Sequence, residues 1–96
     1  MTLKNYRQQI NAIDKSLLLL VRSRQEAAKQ IGLIKKETKK EIYDVSQEVR
    51  SIKDNAEFSE SLGLGKEIAE DLTKVLMFHS KLLQELVQKK RLIHSA

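Results

Sequence analysis

A chain of 96 residues with no proline, three glycines, 4% aromatic and 32% charged side chains suits one helical domain over 1–96 and argues against a turn-rich β fold. The absence of cysteine removes disulfides, thiolate metal sites and cysteine nucleophiles. A formal net charge of +5 suits nucleic acid, a membrane surface or a small polyanion, but most of it is local, in Lys35, Lys36, Lys39 and Lys40 and again in Lys89, Lys90 and Arg91, where cations complement helix ends.

The first element is a long helix from Leu3 to about Glu37. Leu3, Tyr6, Ile10, Ile13, Leu17, Leu20, Ala27, Ile31 and Ile34 alternate steps of three and four residues, the spacing of a helix that packs along a seam. One slot of that seam holds Arg24, and a buried cation is costly unless something anionic meets it. The register spans roughly 50 Å at the standard helical rise. A compact chain of this size has a radius of gyration of only about 12 to 13 Å. The helix must therefore protrude, and a second copy covering its apolar band is expected, giving an intertwined homodimer. Gly32 costs about 1 kcal/mol against alanine in a helix interior, which points to close approach by a ligand or a neighbouring backbone or else to a tolerated glycine.

Thr38 to Tyr43 breaks the register and is expected to connect. Helix two begins near Asp44, which with Gln47 three residues on fits a capping box, and Val45, Val49, Ile52 and Ala56 supply a modest apolar face. It ends by Leu62, where Ser61-Leu62-Gly63-Leu64-Gly65 makes a turn. Helix three runs from about Lys66 to Leu92 with a seam of Ile68, Leu72, Val75, His79, Leu82 and Leu86. Beside the seam lies a lane of Thr73, Met77, Ser80 and Gln84, and a polar lane next to an apolar one suggests a lined cavity. The opening residues show no basic segment, apolar block and cleavage site, and the longest apolar run, Leu17 to Val21, is far too short to span a bilayer. A soluble cytoplasmic protein is expected.

Eleven residues of helix return Lys35 to within about 20° of Arg24, roughly 16 Å further along, with Ala28 and Ile31 between. Such a two-ended cationic clamp fits a small dicarboxylate, whereas nucleic acid favours exposed charges repeated along a face. Asp44 with Glu48, and Ser80 with Gln84, each lie four residues apart on one side of a helix. Arg7 is separated from Arg24 by seventeen residues of helix, roughly 25 Å, and cannot join it within one chain; it is either a surface arginine or, if the long helices of two subunits pair antiparallel, one that approaches the partner's Arg24. His79 and His94 have no companion at metal-ligand spacing, and Tyr43, Phe58 and Phe78 are expected to pack.

These residues together resemble a chorismate mutase of the all-α AroQ class. The family's opening pattern is matched by Tyr6-Arg7-Gln8-Gln9-Ile10-Asn11-Ala12-Ile13-Asp14. Its next segment is matched by the run from Ser23 to Lys35, with Arg24, Ala28, Gly32 and Lys35 at the family's positions. Asp44-Val45-Ser46-Gln47-Glu48 and Ser80-Lys81-Leu82-Leu83-Gln84 follow in the family's order. The resemblance implies rearrangement of chorismate to prephenate in aromatic amino acid biosynthesis, with no metal or cofactor. It also implies roles for single residues. Arg24 and an Arg7 donated across a homodimer would hold two carboxylates, Lys35 and Gln84 would donate to the ether oxygen, Glu48 and the backbone at Asp44 would fix the ring hydroxyl, and Ser80 would lie near a carboxylate.

One position departs from the family. Gln47 stands where an arginine is usual, which removes a cation, and Arg50 lies about 60° away on the helix as an imperfect substitute. Two other readings remain open. An isochorismate-pyruvate lyase resembles the mutases in fold and cationic pocket but tends to lack the Asp44 and Glu48 pair, and a noncatalytic helical dimer would bind nucleic acid or protein through its lysines with a steep salt dependence.

Overall fold

In the computed structural model α1 spans Leu3–Glu37, α2 Val45–Ser61 and α3 Glu67–Ser95. The structure describes residues 1–95, with side chains through Lys89, so the side chains of Lys90, Arg91 and His94 lie outside the described residues. The fold is all-α, with no strand among the described residues, and α3 continues three residues past the expected Leu92.

The local chemistry explains the bounds. Thr2 and Asn5 form a capping box at the start of α1: Asn5 N–H donates to Thr2 Oγ1 at 3.2 Å and Thr2 N–H donates to Asn5 Oδ1 at 3.1 Å. At its other end Lys39 adopts a left-handed φ of 56°, and Lys40 N–H reaches back to Lys35 O at 2.7 Å. Asp44 caps α2 by accepting from Gln47 N–H at 3.1 Å. The return half of the expected box is absent, because the Gln47 amide donates to Ser51 Oγ instead. α2 closes with Gly63 at φ 78°, where Gly63 and Leu64 N–H satisfy the carbonyls of Glu60 and Ser59.

α3 is the shared element. Among the described residues α1 and α2 each pack on α3 and not on one another. Arg24 meets Ser80, Gly32 meets Gln84, and Lys36 Nζ donates to Gln88 O, so α1 and α3 run parallel. Asn55 bonds Thr73 and Glu48 pairs with Lys81, so α2 runs antiparallel to α3.

The faces that meet are small and polar. Ala28 and Gly32 of α1, Ala56 and Ser59 of α2, and Thr73, Ser80 and Gln84 of α3 are the buried residues. The apolar seam of α1 as far as Leu20 and that of α3 point away from this interior. Every residue from Met1 to Leu20 is exposed, and so are Ile68, Leu72, Val75, His79, Leu82 and Leu86. The protomer is accordingly drawn out, with extents of 59 × 27 × 14 Å and a radius of gyration of 17.0 Å. The expectation that Tyr43, Phe58 and Phe78 pack is corrected here: all three are more than half exposed, Tyr43 in the connector between α1 and α2, and Phe58 and Phe78 on outward helix faces.

Gly32 is explained by a neighbouring backbone. A Cβ built there would lie 3.1 Å from the Cα, Cβ and Cγ of Gln84. Its carbonyl also accepts from Gln88 Nε2 at 3.1 Å, so the glycine is both a steric gap and an anchor. Gly32→Val is expected to destabilise the fold by about 1–3 kcal/mol in chemical denaturation, because the α3 backbone must move. Gly32→Ala should cost less, since about 1 kcal/mol of helix propensity offsets the tighter contact.

Candidate active site

The three helices line an open-sided cavity of about 430 Å³, within the usual range for a small-molecule site. Each helix offers it a face with the same internal spacing. α1 presents Arg24, Ala27, Ala28, Ile31 and Lys35; α2 and its cap present Asp44, Gln47, Glu48 and Ser51; α3 presents Met77, Ser80, Lys81 and Gln84. Positions i, i+3, i+4 and i+7 share one side of a helix, so three short stretches suffice to build the wall. Six of the seven residues expected at a site therefore line one cavity. Arg7 does not: it lies far along the exposed half of α1.

Arg24 is half-buried rather than turned to bulk water. Its Nη1 donates to Leu76 O at 3.1 Å and to Ser80 Oγ, while Ser80 Oγ itself donates to Leu76 O at 2.9 Å. A guanidinium has five N–H donors, so others remain free for a ligand. Lys35 Nζ donates to Ile42 O at 2.7 Å, which ties the connector between α1 and α2 over the cavity and leaves two ammonium hydrogens. Among the described residues neither cation pairs with a carboxylate. Gln84 is 6% exposed, and its Oε1 is enclosed without a hydrogen-bond partner among the described residues. Leaving such an amide unmet costs about 1–3 kcal/mol, and half a turn of the amide presents its N–H donor at the same place.

Three lining groups, Ile42, Ser51 and Lys81, escaped the sequence reading, and Ser51 completes the i, i+3, i+4, i+7 set of Asp44, Gln47 and Glu48. Ile42 contributes a main-chain oxygen, which no pattern of side chains reveals. Lys81 does have a signal, since it completes the i, i+3, i+4, i+7 set of Met77, Ser80 and Gln84. Its Nζ lies 2.9 Å from Glu48 Oε1 and 5.0 Å from the centroid of the Tyr43 ring. Arg50, by contrast, does not line the cavity; it is exposed and donates to Gln47 Oε1 at 3.0 Å.

Tyr43 lies beside Lys81, outside the cavity lining. Its hydroxyl donates to Glu85 Oε1 at 3.0 Å, and that hydrogen bond and the charge behind it raise the phenol above its ordinary value of 10.0. A raised folded-state value means the contact stabilises the fold fully below the unfolded phenol's range and is lost as pH rises through the folded one. Glu85→Gln should bring the phenol back toward its ordinary range. Alkaline absorbance titration, with Tyr43→Phe to separate the signal from Tyr6, measures the change.

With three helices, a cationic cavity and the spacing of its walls in hand, comparison with known families is decisive: the family model described as chorismate mutase type II matches residues 6–85. The chain belongs to the chorismate mutase type II family. No curated protein and no solved structure matches it. The matched stretch takes in α1 from Tyr6, all of α2 and α3 as far as Glu85, and so includes every lining residue of the cavity. Type II is the all-α AroQ class of chorismate mutase, an isomerase family. No helix among the described residues is long and apolar enough to cross a membrane.

Proposed function

We propose that this chain is a cytoplasmic chorismate mutase of aromatic amino acid biosynthesis, rearranging chorismate to prephenate as a homodimer. The observation that carries the reading is the cavity itself. It is faced by two cations without carboxylate partners among the described residues and by an enclosed, unmet glutamine amide, in a chain of the chorismate mutase type II family.

In this reaction a C–O bond breaks as a C–C bond forms within one molecule, and no proton, nucleophile or electron carrier is required. The work left to the protein is to hold a compact conformer and to stabilise charge on the departing ether oxygen. Arg24 holds one carboxylate through the donors that Leu76 and Ser80 leave free. Lys35 and Gln84 donate to the ether oxygen, and Glu48 with the backbone at Asp44 fixes the ring hydroxyl. A millionfold acceleration corresponds to about 8 kcal/mol. Two preorganised donors at about 3 kcal/mol each supply most of that, with conformer restraint supplying the rest.

The second subunit enters for two reasons. The apolar seam from Leu3 to Leu20 is exposed in the protomer, and a band of that length is disfavoured in water. Arg7 stands roughly 25 Å from Arg24 along α1, so only Arg7 of the partner subunit reaches the second carboxylate. Asp44 and Glu48 in the cavity wall favour the mutase over the lyase reading.

Purified protein mixed with chorismate should consume it and yield prephenate, at a solution mass twice the 11.1 kDa protomer. Conversion of isochorismate to salicylate and pyruvate, with chorismate untouched, would instead establish the lyase.

A further inference from the structure

The cavity wall distributes its charge unevenly. α1 contributes two cations, Arg24 and Lys35, whereas α2 contributes two carboxylates, Asp44 and Glu48, and no cation, since Gln47 is neutral and Arg50 is turned outward. Left so, a doubly anionic substrate would meet a negative wall on the α2 side. Lys81 of α3 lies against that wall. Its side chain is about a quarter exposed, as is that of Glu48, and the two are joined at 2.9 Å.

We infer that Lys81 is a substrate-binding cation, held in place by Glu48 and the Tyr43 ring, that adds a third cationic contact for the two carboxylates assigned to Arg24 and to Arg7 of the partner subunit. An ammonium has three donors and no acceptor. Nζ is ion-paired with Glu48 Oε1 at 2.9 Å, and the centroid of the Tyr43 ring lies 5.0 Å from Nζ, within reach of a cation–π contact. The Tyr43 ring is itself fixed by Glu85. These contacts restrict a side chain that otherwise has four flexible bonds, and they leave a donor for the ligand. The pairing also serves the ligand by neutralising Glu48, whose bare charge would repel it. The inference rests on the mutase reading.

The test is steady-state kinetics on the purified full chain with chorismate. Lys81→Met should raise KM by about tenfold to a hundredfold, the value of a charge-assisted hydrogen bond, with a much smaller change in kcat. Lys81→Arg, which keeps the charge, should stay close to the native KM. Adding Gln47→Arg to Lys81→Met should recover much of the lost affinity, because it returns a cation to the same side from another helix. A residue that merely positioned Glu48 would show the reverse pattern, a fall in kcat that the second substitution does not repair, and that result or an unchanged KM overturns the proposal. Gln47→Arg alone tests it even if Lys81→Met does not fold: with the cationic role already filled KM should change little, whereas a tenfold fall in KM shows the role is empty and overturns it. Native protein that leaves chorismate unconverted overturns the mutase reading itself, a different outcome from normal conversion with an indifferent Lys81.

Discussion

Lys35→Ala is expected to lower kcat for chorismate by about a thousandfold while helical content stays unchanged by circular dichroism. The size follows from what the ammonium faces. In the proposed reaction charge accumulates on a single ether oxygen as the C–O bond opens, and Lys35 Nζ is anchored at the cavity wall by Ile42 O. A preorganised donor is worth more there than in water, because no solvent has to reorient when the charge appears. Lys35 also donates to Ile42 O at 2.7 Å, so its removal loosens the connector by about 1 kcal/mol of hydrogen bonding. Chemical denaturation separates the two effects: a small drop in stability beside a large drop in kcat is expected. Near-normal turnover in Lys35→Ala would refute the mechanism.

Leu17→Glu is expected to halve the solution mass and to abolish turnover at ordinary enzyme concentrations. In the protomer Leu17 is 51% exposed, so the substitution costs an isolated chain little. Across a twofold interface it introduces two carboxylates into an apolar seam, and burying an unpaired charge costs several kcal/mol per ion. Activity follows assembly because Arg7 of the partner subunit is then withheld from the cavity. Lys15→Glu, two residues away but on the outer side of the same helix, should leave both mass and turnover as they are. Size-exclusion chromatography with light scattering reads the mass, and a native mass equal to one protomer would remove the basis for the dimer.

The three helices and their limits were legible because each limit has a local cause. Asp44 caps because its carboxylate reaches the Gln47 N–H, and Gly63 stops α2 because it takes a left-handed φ at no steric cost. The overrun of α3 past Leu92 was not legible, since no glycine, proline or cap marks a stop there. Arg24, Lys35, Asp44, Glu48, Ser80 and Gln84 could be picked out as pairs because spacing along a helix determines which side a residue faces. That they share one cavity required the packing of both α1 and α2 on α3. Lys81 was passed over although its spacing is as good as that of Ser80, because a lysine on a helix ordinarily reads as solvated surface.

Periodicity thus settled, before any coordinates, that the chain is helical, where its helices begin, and that α3 carries one apolar and one polar stripe. Only the folded arrangement decided which stripe turns inward, and the choice runs against the usual rule: Thr73, Ser80 and Gln84 are buried while Leu72, Val75 and Leu82 are exposed. The physical reason is that hydrophobic burial is a property of a helix together with whatever covers it. The small faces at Gly32, Ala28 and Ala56 allow the helices to close on polar groups that hydrogen-bond across the gap, and the parallel course of α1 and α3 aligns Arg24 with Ser80 and Gly32 with Gln84. Neither relation is contained in the angular position of a residue on its own helix, which is all that sequence spacing encodes.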